Sequence, residues 1–93
     1  MKKGIRELIE KAATVLRDAG ANEVYLFGSA RGGELREGSD IDLAVAGLPP
    51  ERFFEAMGQV ADILPCRLDL VDLDEENPFT RYLKEEGELL RVG

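Results

Sequence analysis

The sequence predicts a two-layer α/β (α+β) domain, in which a small mixed β-sheet packs with helices. Two observations support this fold class. The sequence contains three segments with helix signals and three short aliphatic runs of strand character. Their order along the chain is helix, strand, strand, helix, strand, helix. Three strands separated by helices exclude both a helical bundle and an all-β sandwich. The order of the strands in the sheet cannot be read from this pattern.

The first two elements are an amphipathic helix and a short strand. Apolar residues at helical spacing begin at Ile5 and end at Ala19, and Gly20 supplies a stop signal. The run Glu23 to Phe27 is rich in aromatic and aliphatic residues, which predicts a strand ending at Gly28. This strand therefore leads directly into a Gly-Ser turn.

The second strand carries paired acidic residues. After a small, polar, glycine-containing loop over residues 30–38, the run Asp40 to Ala46 begins with alternating acidic and apolar residues. Successive side chains of a strand point to opposite faces, so Asp40 and Asp42 share one face. The apolar face is formed by Ile41, Leu43 and Val45.

The rest of the chain predicts a helix, a third strand and a last helix. Pro49-Pro50 stops the second strand and suits the start of the second helix, and Pro65 ends that helix. Cys66 to Val71 has the character of a strand, and Asn77-Pro78 is a cap and first-turn pair for a helix that continues to Glu86. The sequence leaves the structure of the short tail over residues 88–92 open.

Composition limits the possible functions. The 93 residues are expected to form one domain, residues 1–93, too small for a separate substrate-binding lobe, so a large acceptor must come from outside. The net charge of -7 disfavours direct binding to nucleic acid. The chain has no histidine and a single cysteine, which excludes His-based triads, His-ligated zinc and cysteine clusters. No signal-peptide pattern or bilayer-length apolar run is present, so we expect a cytoplasmic protein without a membrane segment.

The paired acids predict a metal site. Side chains at positions i and i+2 of a strand start ~7 Å apart, so the carboxylates of Asp40 and Asp42 can converge on divalent cations. Two unneutralised carboxylates ~4 Å apart would repel by ~4 kcal/mol near a protein surface, and Mg²⁺ prefers such oxygen ligands. Asp69 can join them from the neighbouring strand. The alternative third carboxylates are Asp72, which points to the opposite face, and Asp74, which lies in a predicted turn.

The turn before the acids predicts a phosphate site. Gly28 permits close backbone approach, and the Ser29 hydroxyl with the amides that follow can donate to phosphate oxygens. Arg31 can add a cationic contact, and Ser39 lies in the same segment next to the first aspartate. A triphosphate bridged by two Mg²⁺ ions would allow nucleotidyl transfer, in which one ion activates the attacking hydroxyl and the other steadies the leaving pyrophosphate.

Three segments of the chain carry a family resemblance: Phe27-Gly28-Ser29-Ala30-Arg31-Gly32, Ser39-Asp40-Ile41-Asp42-Leu43-Ala44-Val45 and Leu68-Asp69-Leu70-Val71. Together they closely resemble the minimal nucleotidyltransferase (MNT) family of the DNA polymerase β-like superfamily. The resemblance implies the polymerase β-like fold and an Mg²⁺-dependent enzyme that uses ATP. By the same resemblance, Ser29 would hold phosphate, and Asp40, Asp42 and Asp69 would be the catalytic, magnesium-binding residues.

The resemblance also implies a partner. Members of this family are commonly antitoxins paired with a HEPN-domain ribonuclease toxin, and active members transfer AMP to a tyrosine hydroxyl of that toxin. Two alternatives stay open. The chain could neutralise a toxin by contact without catalysis, or it could modify a small molecule, with dimerisation completing the pocket. Homo- or hetero-oligomers are compatible with each of these functions.

Overall fold

The structure is a computed structural model that describes residues 3–28, 40–87 and 89–92. Within these ranges the helices are α1 (Lys3–Asp18), α2 (Pro50–Ile63) and α3 (Pro78–Glu85). The strands are β1 (Glu23–Phe27), β2 (Ile41–Ala46), β3 (Leu68–Asp72) and β4 (Leu90–Arg91). Helices and strands follow one another as predicted, although β2 begins one residue later than expected and β3 two residues later.

The strands form one mixed sheet in the order β3-β2-β1-β4. Strand β2 is antiparallel to β1 and parallel to β3, and α2 is the crossover that a parallel connection requires. This mixed sheet with packed helices confirms the predicted fold class. None of the helices in the described ranges is long and apolar enough to cross a bilayer.

The fourth strand lies in the tail whose structure the sequence left open. β4 pairs antiparallel with β1, and the Val92 N–H donates to the Val24 carbonyl at 3.0 Å. Arg17 of α1 also donates from Nη1 to the Val92 carbonyl at 3.2 Å. A two-residue strand is too short to show periodicity in the sequence, and its hydrogen bonds come from residues distant in the chain.

The main core lies between one face of the sheet and helices α1 and α2. Ile9 and Leu16 of α1, Val60 of α2, and Leu26 and Leu43 of the strands are all fully or almost fully buried there. Burying each such side chain stabilises the fold by about 1.5–3 kcal/mol. The apolar stripes of the helices and the apolar faces of the strands therefore meet as their periodicities require.

The opposite face of the sheet is packed in part by α3. Leu83 of α3 joins a second buried cluster with Phe27 and Ala44. The helix starts at a capping box, in which the Thr80 N–H donates to Oδ1 of Asn77 at 2.9 Å and the Asn77 N–H donates to Oγ1 of Thr80 at 3.2 Å. The predicted Asn-Pro start of the last helix is thus confirmed, and α3 is fixed on the face that carries the acidic residues.

Candidate active site

A row of side chains crosses the sheet on the α3 side. Phe27 of β1 is paired with Asp42 of β2, and Asp42 is paired in turn with Asp69 of β3. Directly paired residues of neighbouring strands point to the same face. The parallel register between β2 and β3 therefore brings together two of the carboxylates that the sequence singled out.

Asp42 lies in an unfavourable environment for a negative charge. Its pKa is raised from 3.8 to about 6, first by burial, then by a hydrogen bond with the Asp69 side chain and by the negative charges of Asp69 and Asp40. All of these causes penalise the charged form of the Asp42 side chain, and a cation bound beside it would offset that penalty.

Gly28 packs directly against the Asp42 carboxylate. It has a φ of +72°, which is the left-handed region, and a Cβ at this position would overlap Oδ2 of Asp42 and lie 3.2 Å from Cγ. Only glycine satisfies both requirements without strain. The sequence predicted close approach of Gly28 to phosphate, whereas the structure shows that the same residue also leaves room for a carboxylate.

The other residues predicted for the site lie farther from the Asp42–Asp69 pair or outside the described residues. Asp40 is exposed just before β2, near enough for its charge to contribute to the raised pKa of Asp42. Asp72 lies on the other face from Asp69, and its Oδ1 accepts from the Asp74 N–H at 2.9 Å, so its carboxylate supports a turn. Ser29, Arg31 and Ser39 fall outside the described residues.

The donor set fits a hard divalent cation. No three acidic or thiol side chains in the described ranges are gathered closely enough to hold a metal ion as they stand. The paired residues Asp42 and Asp69 nevertheless offer only carboxylate oxygens, which are the ligands that suit Mg²⁺. Asp40 lies just before β2, two residues before Asp42, and can supply a further oxygen.

An aromatic contact beside this row was not predicted. The ring of Phe79, in the first turn of α3, meets Phe27 edge to face with the ring centroids 6.0 Å apart and an interplanar angle of 62°. Phe27 is buried, whereas Phe79 is 49% exposed. The sequence predicted a helix here but could not show which strand residue its side chains would meet.

Comparison with known proteins identifies the family. Residues 10–91 match the family described as polymerase beta, nucleotidyltransferase. A search of curated protein sequences found no significant relative.

Solved structures give the same result. The chain is 28% identical to a protein in the crystal structure of a toxin-antitoxin with AMP-PNP, with a TM-score of 0.70 over 95% of this chain and 72% of that chain. It is also 28% identical to a chain in the complex of a tri-AMPylated HEPN toxin from Shewanella oneidensis with its MNT antitoxin, with a TM-score of 0.67 over 95% of this chain and 71% of that chain. A structure described as a minimal nucleotidyltransferase has 28% identity and a TM-score of 0.70, over 92% of this chain and 93% of that chain. The resemblance noted in the sequence is confirmed, and this chain belongs to the polymerase beta nucleotidyltransferase family.

Proposed function

We propose that this chain is an Mg²⁺-dependent adenylyltransferase that moves AMP from ATP to a tyrosine hydroxyl of a HEPN-type partner protein, and that it acts as the partner's antitoxin in the cytoplasm. The observation that carries the proposal is the pairing of Asp42 with Asp69 beside the Gly28 turn, in a chain of this family. Two structural relatives support the choice of substrates. One was crystallised with AMP-PNP, and the other is an MNT antitoxin bound to an AMPylated HEPN toxin.

The proposed reaction forms a bond between the acceptor oxygen and the α-phosphorus of ATP, and it breaks the bond from that phosphorus to pyrophosphate. Asp40, Asp42 and Asp69 would hold magnesium, which when bound lowers the pKa of a hydroxyl and offsets negative charge on phosphate. Gly28, Ser29 and Arg31, with Ser39, would bind the phosphates.

The position of Asp69 bears on how the acceptor approaches. In the described part of the chain β3 is an edge strand, so Asp69 is the carboxylate of the pair nearer to the outside of the sheet. An acceptor hydroxyl can therefore reach the pair from that edge while ATP lies over β1 and β2. Residues 1–93 would act as one catalytic domain, and the partner protein would supply the acceptor.

Intact-protein mass spectrometry would test the proposal. The proposed HEPN-type partner is incubated with ATP, Mg²⁺ and either the unaltered chain, Asp42→Asn or Asp69→Asn. We expect a gain of one or more AMP units with the unaltered chain alone, and loss of the gain when the acceptor tyrosine is changed to phenylalanine. A stable complex without any mass gain would contradict catalysis and favour an antitoxin that acts by contact.

A further inference from the structure

An apolar groove runs along β3 beside the candidate active site. Its volume is about 450 Å³, and its walls come from α2, β3 and the first turn of α3. Phe53 and Phe54 of α2 lie on one side, and Phe79 of α3 lies on the other. Leu70 and Val71 of β3 form the floor between them. The groove therefore follows a strand rather than a helix surface.

The backbone of β3 offers hydrogen bonds towards the groove. The Ile41 N–H donates to the Arg67 carbonyl at 2.9 Å, and the Leu73 N–H donates to the Val45 carbonyl at 2.8 Å. Odd-numbered residues of this segment thus face β2, and the N–H and C=O groups of Leu68 and Leu70 point the other way. Within the described residues this side is the sheet edge, and an edge strand is a template for adding another strand.

Aromatic side chains stand on both sides of that edge. Phe54 is 75% exposed on the side of α2, and Phe79 is 49% exposed on the side of α3. Leu70 packs with the main core and Val71 with the cluster around α3, so the floor of the groove spans both faces of the sheet. Side chains of an added strand, which alternate between faces, would contact Phe54 and Phe79 in turn.

Charge selects among possible occupants. The acidic residues Asp72 and Glu75 line the groove, and no Lys or Arg occurs among its described lining residues. A second copy of this chain, with a net charge of -7, would bring the same carboxylates against them. An added strand that carries Lys or Arg would instead complement the groove.

We propose that an extended basic segment of the acceptor protein adds to β3 as a further strand and lies between Phe54 and Phe79. Asp69 is on the same strand, two residues before Val71, so a docked segment would run past the candidate catalytic pair. Docking at this edge would bring the acceptor hydroxyl to that pair, and this last step rests on the proposed function.

Peptide binding tests the docking surface directly. The probe is a fluorescent, blocked peptide of alternating Lys and Val with a central Tyr, about nine residues long to match a strand and its flanks. A second peptide has Glu in place of Lys, and a third has N-methyl groups on its backbone amides. Binding is measured by fluorescence anisotropy to the unaltered chain and to a groove variant, Phe54→Ala with Glu75→Lys.

The control variant is Tyr82→Ala with Glu85→Lys. It removes an exposed aromatic ring and reverses one exposed carboxylate, as the groove variant does, but both of its residues lie outside the groove. We expect the Lys peptide to bind the unaltered chain and the control equally, and to bind the groove variant at least ~10-fold more weakly. The Glu peptide and the N-methylated peptide should bind at least ~10-fold more weakly to every form.

Equal weakening by both variants would overturn the proposal, because it would show attraction by overall charge alone. Equal binding of the N-methylated peptide would exclude strand addition, and absence of saturable binding of the Lys peptide up to about 1 mM would exclude the docking surface. Calorimetry with Mg²⁺ and a non-hydrolysable ATP analogue separates the two proposals. Failure of that analogue to bind the unaltered chain would count against the proposed function and leave the peptide result intact.

Discussion

Replacing Gly28 by alanine should destabilise the protein and impair transfer through one contact. The new Cβ would overlap Oδ2 of Asp42 and lie 3.2 Å from its Cγ, on a backbone with a φ of +72°. Gly87 provides a matched control, because it has a φ of +67° and a Cβ there would meet nothing within 4 Å. Both substitutions add the same backbone strain, and only Gly28→Ala adds the overlap.

The expected magnitudes follow from these two contributions. A left-handed conformation costs a residue with a Cβ about 1–2 kcal/mol, and this cost is shared by Gly28→Ala and Gly87→Ala. Overpacking adds typically about 1–3 kcal/mol, which applies at Gly28 alone. We therefore expect the free energy of unfolding to fall by about 1–3 kcal/mol more for Gly28→Ala than for Gly87→Ala. Since the Asp42 carboxylate must shift, transfer should fall by about 100-fold only for Gly28→Ala.

Urea unfolding of a double-mutant cycle tests this reasoning. Asp42→Ala removes the overlapping oxygen and Cγ and leaves only Cβ, which lies 3.5 Å from the new atom at ordinary contact distance. Adding Gly28→Ala to Asp42→Ala should then cost no more than Gly87→Ala costs in the unaltered chain. Equal destabilisation by Gly28→Ala in both backgrounds would refute an effect acting through the Asp42 carboxylate.

Three further predictions concern electrostatics, site assignment and helix capping. With EDTA present, Asp42→Asn should stabilise the protein at pH 7.5, because a pKa raised from 3.8 to about 6 makes ionisation costly in the folded state. The shift in pKa corresponds to ~3 kcal/mol at most and to ~1 kcal/mol after solvent screening. In urea unfolding, the stability advantage of Asp42→Asn over the unaltered chain should grow as pH rises from ~4 to above ~6. Asp62→Asn on α2 controls for the loss of one negative charge, and an advantage of Asp42→Asn that does not depend on pH would contradict the assignment. In the AMP-transfer assay, Asp69→Asn should lose at least ~100-fold in rate and Asp72→Asn should stay close to the unaltered chain, whereas the reverse order would make Asp72 the third carboxylate. In urea unfolding, Asn77→Ala should lower the free energy of unfolding by ~1 kcal/mol, and Asn77→Asp should lower it by much less because aspartate can also cap the helix. Equal losses for the two variants would exclude the loss of the helix cap as the cause.

Local patterns predicted most of the fold. Strand β1 has the bounds that its run of aliphatic and aromatic residues indicated, and α2 begins at Pro50 and ends before Pro65 as those prolines required. These signals come from neighbours in the chain, so the sequence displays them directly. The sheet order and β4 could not be predicted in this way, because they depend on pairing between residues far apart in the chain.

In the candidate site, too, local patterns predicted the faces of the side chains but not the distances between strands. Alternation in β2 predicted the face of Asp42, and alternation in β3 predicted that Asp69 and Asp72 point to opposite faces. The distance between Asp42 and Asp69 depends instead on the register of β2 against β3, which is set by hydrogen bonds such as that from Ile41 to Arg67. A register shift of one residue would have moved Asp69 away from Asp42 while leaving every local pattern unchanged.

The contact between Gly28 and Asp42 explains why a negative charge on Asp42 is costly in the folded protein. The same contact explains why a cation would be favoured beside this carboxylate. Burial is the largest cause of the raised pKa of Asp42, ahead of the hydrogen bond and charge of Asp69. Backbone packed against one side of a carboxylate excludes water there, so the absence of a Cβ at Gly28 contributes to that burial. A carboxylate that water solvates poorly gains more from a divalent cation than a fully hydrated one does. The glycine that follows β1 would therefore favour the proposed metal binding through Asp42, in addition to the phosphate contact that the sequence alone predicts.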